Sequence, residues 1–237
     1  MVEMIDTDSE VSIFIGKGPD FYERKITLAE KTDTKIGKAG TNHIIISDDE
    51  EINDLHCMLH YESETNKIWV IDKSSSFGVF YRVPRMSEFN LSRESTELPI
   101  LIGSQTYCVL KPDTLNPKGN EFILEKWNYL TKTQLKDYKI TKEDIWRVGR
   151  DPADNIFISV EEDSSVSAFH MQLYYKAMER KWCVVDKGRN STGSTNGVWV
   201  RCFPDIAQEI KIGNSLRIGA NTYIHFRNSS FIPPVHE

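Results

Sequence analysis

Apolar residues recur along this chain in short runs that alternate with polar residues and are bounded by Gly, Pro, Asn, Asp and Ser. A period of two, in short runs rich in β-branched and aromatic residues, is typical of β-strands. In the first half of the chain this pattern predicts strands at 12–15, 24–28, 34–38, 44–46, 57–61 and 67–72, and two closing strands within 98–110. Few stretches show the 3.6-residue period of an amphipathic helix, so the predicted fold class is all-β.

The second half of the chain repeats the first. The matched pairs, at offsets of 112 to 119 residues, are Gly37 with Gly149, Ile44 with Ile156, His56 with His170, Asp72 with Asp186, Gly78 with Gly197, and Thr106 with Thr222. A repeat of this length indicates two copies of one domain. The junction between the copies is short and rich in breakers, with Pro112, Pro117 and Gly119. We therefore predict an N-terminal arm at 1–10, a first domain at 11–111, a linker at 112–120 and a second domain at 121–237.

The composition of the chain argues against several classes of function. The net charge of -6 and the pI near 5.6 argue against a nucleic-acid-binding protein, whose affinity would rest on a basic surface. No apolar run approaches the roughly 20 residues that cross a bilayer, so no membrane association is predicted. The four cysteines lack metal-ligand spacing, so we predict no metal site and no cofactor. A reducing compartment, the cytoplasm or the nucleus, suits four unpaired cysteines.

Several polar residues of the second copy follow strand-like runs, where they should lie on loops at one edge of the β-structure. Arg150 offers a planar, permanently charged donor fork that matches the oxygens of a phosphate. The hydroxyls of Ser167 and Thr195 add neutral donors, and the Asn196 amide can donate to and accept from a peptide group. None of these residues forms an obvious nucleophile–base pair. The set therefore predicts a binding site for a phosphate and the backbone that carries it.

The order Gly-Arg, Ser-x-x-His and Ser-Thr-Asn-Gly, at 149–150, 167–170 and 194–197, resembles the forkhead-associated (FHA) domain, a phosphothreonine-recognition module. The resemblance implies two tandem FHA-like β-sandwiches, the second binding a phosphothreonine peptide by loops at one end. It implies that Arg150 and Ser167 hold the phosphate, with Thr195 in support, and that Asn196 bonds the ligand backbone; Ser194 is included in the binding set. Gly149, His170 and Gly197 fall at family positions that shape the loops.

The second copy departs from the family pattern at two places. Ala168 stands directly after the motif serine, where family members often have a polar or basic residue. A stretch within 187–192 is inserted before Gly193, and its Arg189 is a candidate for the missing charge.

The first copy carries a different set of residues at the same positions. Lys38 replaces the arginine, which keeps the charge but loses the bidentate fork. Asn53 replaces the motif serine, while Ser76 and Phe77 stand where the second copy has Thr195 and Asn196. Since Phe77 cannot hydrogen-bond a ligand backbone, we predict that this copy does not bind phosphothreonine and has a structural or partner-docking task.

The predicted function is a non-catalytic adaptor in kinase signalling that binds a phosphothreonine-containing protein. The alternative is a constitutive scaffold in which neither copy binds phosphate. A hydrolase with Ser167, His170 and Asp186 ranks third, because no Gly-x-Ser-x-Gly elbow precedes the serine. The acidic run at 48–51 is expected to be a solvated loop. Thr7, in the acidic arm, is a possible phosphorylation site for self-association.

Overall fold

Alternating runs form strands throughout the described part of the chain. The structure is a computed structural model that describes residues 10–17, 20–27, 33–62, 64–65, 67–73, 75–91, 97–113, 121–129, 131–151, 157–189 and 192–228. These residues contain strands and no helix, which confirms the all-β prediction. Accordingly, the described residues offer no helix that could span a membrane.

Twenty strands are present in the described residues. They are β1 (Glu10–Lys17), β2 (Asp20–Thr27), β3 (Thr34–Gly37), β4 (Ile44–Ile45), β5 (Cys57–Glu62), β6 (Lys67–Asp72), β7 (Phe80–Arg82), β8 (Glu88–Leu91), β9 (Leu98–Ile102), β10 (Thr106–Pro112), β11 (Glu121–Asn128), β12 (Thr133–Thr141), β13 (Ile145–Gly149), β14 (Ile158–Ser159), β15 (Met171–Lys176), β16 (Lys181–Asp186), β17 (Val198–Arg201), β18 (Gln208–Ile210), β19 (Ser215–Arg217) and β20 (Tyr223–Asn228).

The strands form two compact units. Unit 1 comprises residues 1–81 and 202–237, and unit 2 comprises residues 82–201. In unit 1 the strand orders are β2-β1-β20-β19-β7 and β18-β6-β5-β3-β4. In unit 2 they are β12-β11-β10-β9-β17 and β14-β13-β15-β16-β8. Each unit thus has two five-stranded sets, as expected of an FHA-like β-sandwich.

The two copies exchange their closing strands. Unit 1 takes β18, β19 and β20 from the second copy, and unit 2 takes β8, β9 and β10 from the first copy. The register shows it directly, since Ile13 of β1 lies opposite Phe226 of β20, and Ile100 of β9 lies opposite Val200 of β17. The predicted domains 11–111 and 121–237 are corrected accordingly. Residues 1–9 of the predicted arm and 114–120 of the predicted linker lie outside the described residues. Because the copies share one apolar pattern, that pattern alone does not specify which copy supplies the closing strands of a unit.

Both units have an apolar core built from the inward faces of their strands. In β6 burial alternates, with Ile68 and Val70 buried between half-buried neighbours. Fully buried side chains include Ile36, Leu59 and Phe226 in unit 1, and Ile100, Leu124 and Leu173 in unit 2. Each side chain of this kind contributes about 1.5–3 kcal/mol on burial. None of the four cysteines forms a disulfide, and all four are buried.

Candidate functional site

Three loops meet at one end of unit 2: those after β13, between β14 and β15, and between β16 and β17. Backbone hydrogen bonds join the first two, from the Arg150 N–H to the Ser167 carbonyl and from the Asp151 N–H to the Ala168 carbonyl, both at 3.1 Å. Gly149 permits this approach, because a Cβ atom there would lie 2.1 Å from the Ala168 carbonyl oxygen. The loop-shaping role predicted for Gly149 therefore has a steric basis.

Arg150 is exposed at the junction of these loops. Its Nε atom donates a 2.5 Å hydrogen bond to the Val166 carbonyl, which fixes the direction of the guanidinium plane. Within the described residues its two terminal nitrogens have no hydrogen-bond partner. These nitrogens are the donors that match two oxygens of a phosphate. The Arg150 guanidinium is therefore held in one orientation with its two terminal nitrogens available to a ligand.

Ser167 and Thr195 lie beside each other on adjacent loops. The Thr195 N–H donates to Ser167 Oγ at 3.0 Å, and the two hydroxyl oxygens are 3.5 Å apart. Ser167 also shares the backbone bond with Arg150. The arginine and both hydroxyls, predicted from separate stretches of the sequence, are thus brought to one place.

His170 connects the same loops through the hydrogen bonds of its ring. Its ring is fully buried, Nδ1 accepts from the Ser167 N–H at 3.0 Å, and Nε2 bonds the Gly197 carbonyl at 3.0 Å. A carbonyl can only accept, so Nε2 carries the proton and the ring is neutral. Burial lowers the pKa of His170 below its usual value, despite the Gly197 hydrogen bond and the charge of Asp186. The predicted loop-ordering role agrees with this geometry.

Asn196 is exposed next to Thr195. Its Nδ2 donates to the Ser165 carbonyl at 2.6 Å, and the backbone carbonyl of Asn196 accepts from Trp199 Nε1 at 2.9 Å. Among the described residues, its Oδ1 has no hydrogen-bond partner. The amide is therefore held with an acceptor facing outward, where a peptide N–H could donate to it.

Ser194 has a different place from the one predicted. Its side chain is buried, and its Oγ accepts from the Gly197 N–H at 3.0 Å while its own N–H donates to Asp186 at 2.6 Å. It cannot reach a ligand, so its predicted binding role is corrected to shaping the loop. Gly197 has a φ of +81°, and a Cβ there would lie 2.7 Å from Nε of Arg82. Backbone conformation and close approach both select glycine at this position.

The comparison with protein families agrees with this geometry. Residues 34–98 and 146–226, more than half of the chain, match the model of the FHA domain. The chain belongs to the FHA domain family. The searches of curated proteins and of solved structures found no match. FHA domains are phosphothreonine-binding modules of signalling proteins and not catalytic domains.

The candidate triad does not form in this FHA unit. His170 Nδ1 accepts from the Ser167 backbone N–H, and Ser167 Oγ instead accepts from Thr195. Asp186 receives the Ser194 N–H. A Ser-His-Asp triad requires a hydrogen bond between the serine hydroxyl and the histidine ring, which Ser167 and His170 do not make. Within the described ranges, no cluster of three His, Cys, Asp or Glu side chains could hold a metal ion.

Arg189, from the inserted stretch, lies beside the loop that follows β13. It forms a 2.5 Å ion pair with Asp151, and both side chains are substantially exposed. An exposed pair of this kind is worth at most about 1 kcal/mol. Asp151 therefore compensates the charge of Arg189 in the ligand-free FHA unit, and a phosphate would have to compete for it.

The other FHA unit has the same loop framework. The Lys38 N–H donates to the Asn53 carbonyl at 2.9 Å, and the Ser76 N–H donates to Asn53 Oδ1 at 2.9 Å, as Thr195 does to Ser167. A Cβ on Gly37 would lie 2.2 Å from the Asp54 carbonyl oxygen. The two sites thus share their backbone architecture and differ in side-chain chemistry.

Two of those differences bear on phosphate binding. Lys38 Nζ donates to the Glu50 carbonyl at 2.8 Å, which takes one of its three N–H donors, and an ammonium has no planar fork for two phosphate oxygens. Phe77 is buried, 5.5 Å edge-on from Phe80 and 5.6 Å from the Arg217 guanidinium. Where unit 2 exposes an asparagine amide, unit 1 therefore has a core aromatic ring.

Sequence reasoning missed the aspartates that anchor these loops. Asp49 and Asp163, 114 residues apart, are buried. The expected solvated loop at 48–51 is therefore corrected at Asp49, while Asp48 and Glu50 are exposed. Burial alone would raise the pKa of Asp163, but hydrogen bonds from Ser165, Gln105 and Thr106 outweigh it and the pKa is lowered. The shared offset was the signal that could have identified the pair.

Proposed function

We propose that this protein is a non-catalytic adaptor that binds phosphothreonine peptides through unit 2. The observation that carries the proposal is the oriented, exposed guanidinium of Arg150 beside the paired hydroxyls of Ser167 and Thr195. In this arrangement the arginine fork and one or both hydroxyls contact the phosphate. Asn196 accepts a hydrogen bond from the ligand backbone through its outward Oδ1.

The electrostatics favour a local contact over long-range attraction. A phosphothreonine carries about two negative charges near neutral pH, and the chain has a net charge of -6. At physiological ionic strength the screening length is about 8 Å, so distant carboxylates have little effect on the bound phosphate. Charge-assisted hydrogen bonds from Arg150 then dominate the affinity, and Arg189 adds to it only if it leaves Asp151.

The first copy has a structural or partner-docking task in this proposal. Lys38 lacks the guanidinium fork and donates to the Glu50 carbonyl, and the buried Phe77 offers no acceptor to a ligand backbone. Four buried cysteines that form no disulfide suit a reducing compartment, the cytoplasm or the nucleus. Thr7 lies outside the described residues, and self-association through it stays a prediction.

Calorimetric titration with phosphothreonine peptide libraries tests the proposal, with the unphosphorylated peptides as blanks. Arg150→Ala should weaken binding by about 2–5 kcal/mol, the range for truncating one partner of a hydrogen-bonded charge pair. Lys38→Ala is the matched control in the same chain and should change affinity little. Equal losses in the two variants would contradict the asymmetry. Absence of binding by every peptide would favour a constitutive scaffold instead.

A further inference from the structure

The loop that carries Ser167 is anchored by one buried carboxylate. Asp163 Oδ2 accepts from the Gln105 N–H at 2.9 Å and from Thr106 Oγ1 at 3.0 Å, and its Oδ1 accepts from the Ser165 N–H at 3.0 Å. Ser165 Oγ in turn accepts from the Ser104 N–H at 2.6 Å. These bonds, which we term the Asp163 clasp, join the turn between β9 and β10 to the loop between β14 and β15.

The turn also fits the loop sterically. Gly103 has a φ of +66°, and a Cβ there would lie 2.5 Å from Ser165 Oγ and 2.8 Å from Val166 Cγ2. Asp163 and Thr106 are both almost fully buried. A buried carboxylate left without one of its donors carries a desolvation cost, so the loop and the turn should be ordered together.

The anchored segment is the one that orients the ligand-binding side chains. The Ser165 carbonyl accepts from Asn196 Nδ2 at 2.6 Å, and the Val166 carbonyl accepts from Arg150 Nε at 2.5 Å. The next residue is Ser167. The Asp163 clasp therefore holds the segment 165–167 in place, and the carbonyls of Ser165 and Val166 in this segment orient Asn196 and Arg150.

We infer that the β9–β10 turn, which is encoded in the first copy, is a positioning element for the phosphothreonine site of the second copy. Thr106 is its most testable member, since a single hydroxyl links it to Asp163. This inference rests on the proposed function. It implies that the second copy does not hold a complete binding site by itself.

Unit 1 contains an equivalent set of hydrogen bonds around Asp49, which serves as a control. Asp49 Oδ2 accepts from Thr222 Oγ1 at 2.6 Å and from the Asn221 N–H at 3.0 Å. Thr106 and Thr222 are equally buried and make the same bond to an aspartate. Only Thr106, however, is joined to the loop that carries Ser167.

The experiment compares Thr106→Val with Thr222→Val in the full chain, titrated with a phosphothreonine peptide that the wild type binds. Thr106→Val should weaken binding about three- to tenfold, the change in affinity that corresponds to one ordinary intramolecular hydrogen bond. Thr222→Val should leave affinity within about twofold, by the additivity of distant sites. Thr106→Ser keeps the hydroxyl and should restore binding, which a general loss of stability would not predict. If Thr106→Val fails to fold, Asp163→Asn replaces it and Asp49→Asn replaces its control.

Amide hydrogen exchange of the ligand-free chain gives a second readout that needs no peptide. Residues 163–168 should exchange faster in Thr106→Val than in Thr222→Val. Equal affinities of the wild type and Thr106→Val, or equal losses in the two valine variants, would overturn the inference and leave the proposed function standing. If the wild type binds no phosphopeptide, the proposed function is wrong, and the hydrogen-exchange measurement alone tests the Asp163 clasp. Unchanged exchange of 163–168 would then overturn the clasp as well.

Discussion

Replacing Asn90 with cysteine should create a disulfide with the native Cys183, because the two residues lie directly opposite each other. Asn90 is on β8, from the first copy, and Cys183 is on β16, from the second copy. Directly opposed residues of antiparallel strands have Cα atoms about 4.5–5.5 Å apart, which is within the range that disulfides span. Cys183 Sγ already lies 3.2 Å from Asn90 Oδ1. Burial raises the pKa of the Cys183 thiol, so an added oxidant such as diamide is needed.

The expected gain in stability follows from the length of the closed loop. Joining residues 90 and 183 closes a loop of about 100 residues, to which the chain-entropy model assigns about 4.7 kcal/mol. For a chain of this size, 1 kcal/mol shifts the melting temperature by roughly 2–4 °C. The thermal transition of the oxidised variant should therefore rise by about 10–20 °C relative to its reduced form. A non-reducing peptide map should show the segments around residues 90 and 183 linked within one chain.

Glu209→Cys is the matched control for this experiment. Glu209 holds in unit 1 the place that Asn90 holds in unit 2, and it lies opposite Trp69. If each copy folded on its own strands, position 209 would instead lie opposite Cys183. A disulfide in Glu209→Cys and none in Asn90→Cys would refute the strand exchange. Disulfide-linked dimers of Asn90→Cys would show that the exchange occurs between two chains.

Two further predictions concern the loops of unit 2. Gly149→Ala places a methyl group 2.1 Å from the Ala168 carbonyl oxygen, so it should lower the free energy of unfolding by about 1–3 kcal/mol, measured by urea denaturation. His170 has a folded-state pKa below that of the unfolded chain, about 6.5, so the unfolded state binds the proton first. Its contribution to stability is therefore present above about pH 6.5 and lost as the pH falls further, by at most about 1.4 kcal/mol per pH unit. Urea titrations at pH 7.5 and 5.5 measure this, and an equal pH dependence in His170→Asn would contradict it.

The sequence determined most of the strands of the first half by itself. The run 67–72 was predicted as a strand and forms β6, in which Ile68 and Val70 are buried between half-buried neighbours because successive residues of a strand point to opposite sides. The repeat predicted two similar units, and both have the same framework around Gly37 and Gly149. A Cβ at either position would meet a carbonyl oxygen, so glycine there is required by local geometry.

The sequence also indicated most of the binding set. Arg150, Ser167 and Thr195 were predicted to converge, and the structure joins them through backbone and hydroxyl hydrogen bonds. Ser194 was misplaced because adjacent loop residues differ in orientation, and only the fold shows that its hydroxyl serves Gly197. Residue type predicts what a side chain can bond, whereas the backbone path decides what it reaches.

Only the tertiary structure decided which strands belong together. An alternating pattern fixes the face that a strand buries but not its neighbour, and the two copies carry nearly the same pattern. Thr106 and Thr222 are therefore interchangeable in the sequence, yet Thr106 bonds Asp163 of the second copy and Thr222 bonds Asp49 of the first. Such pairings join residues that are far apart in the sequence, and no local signal specifies them.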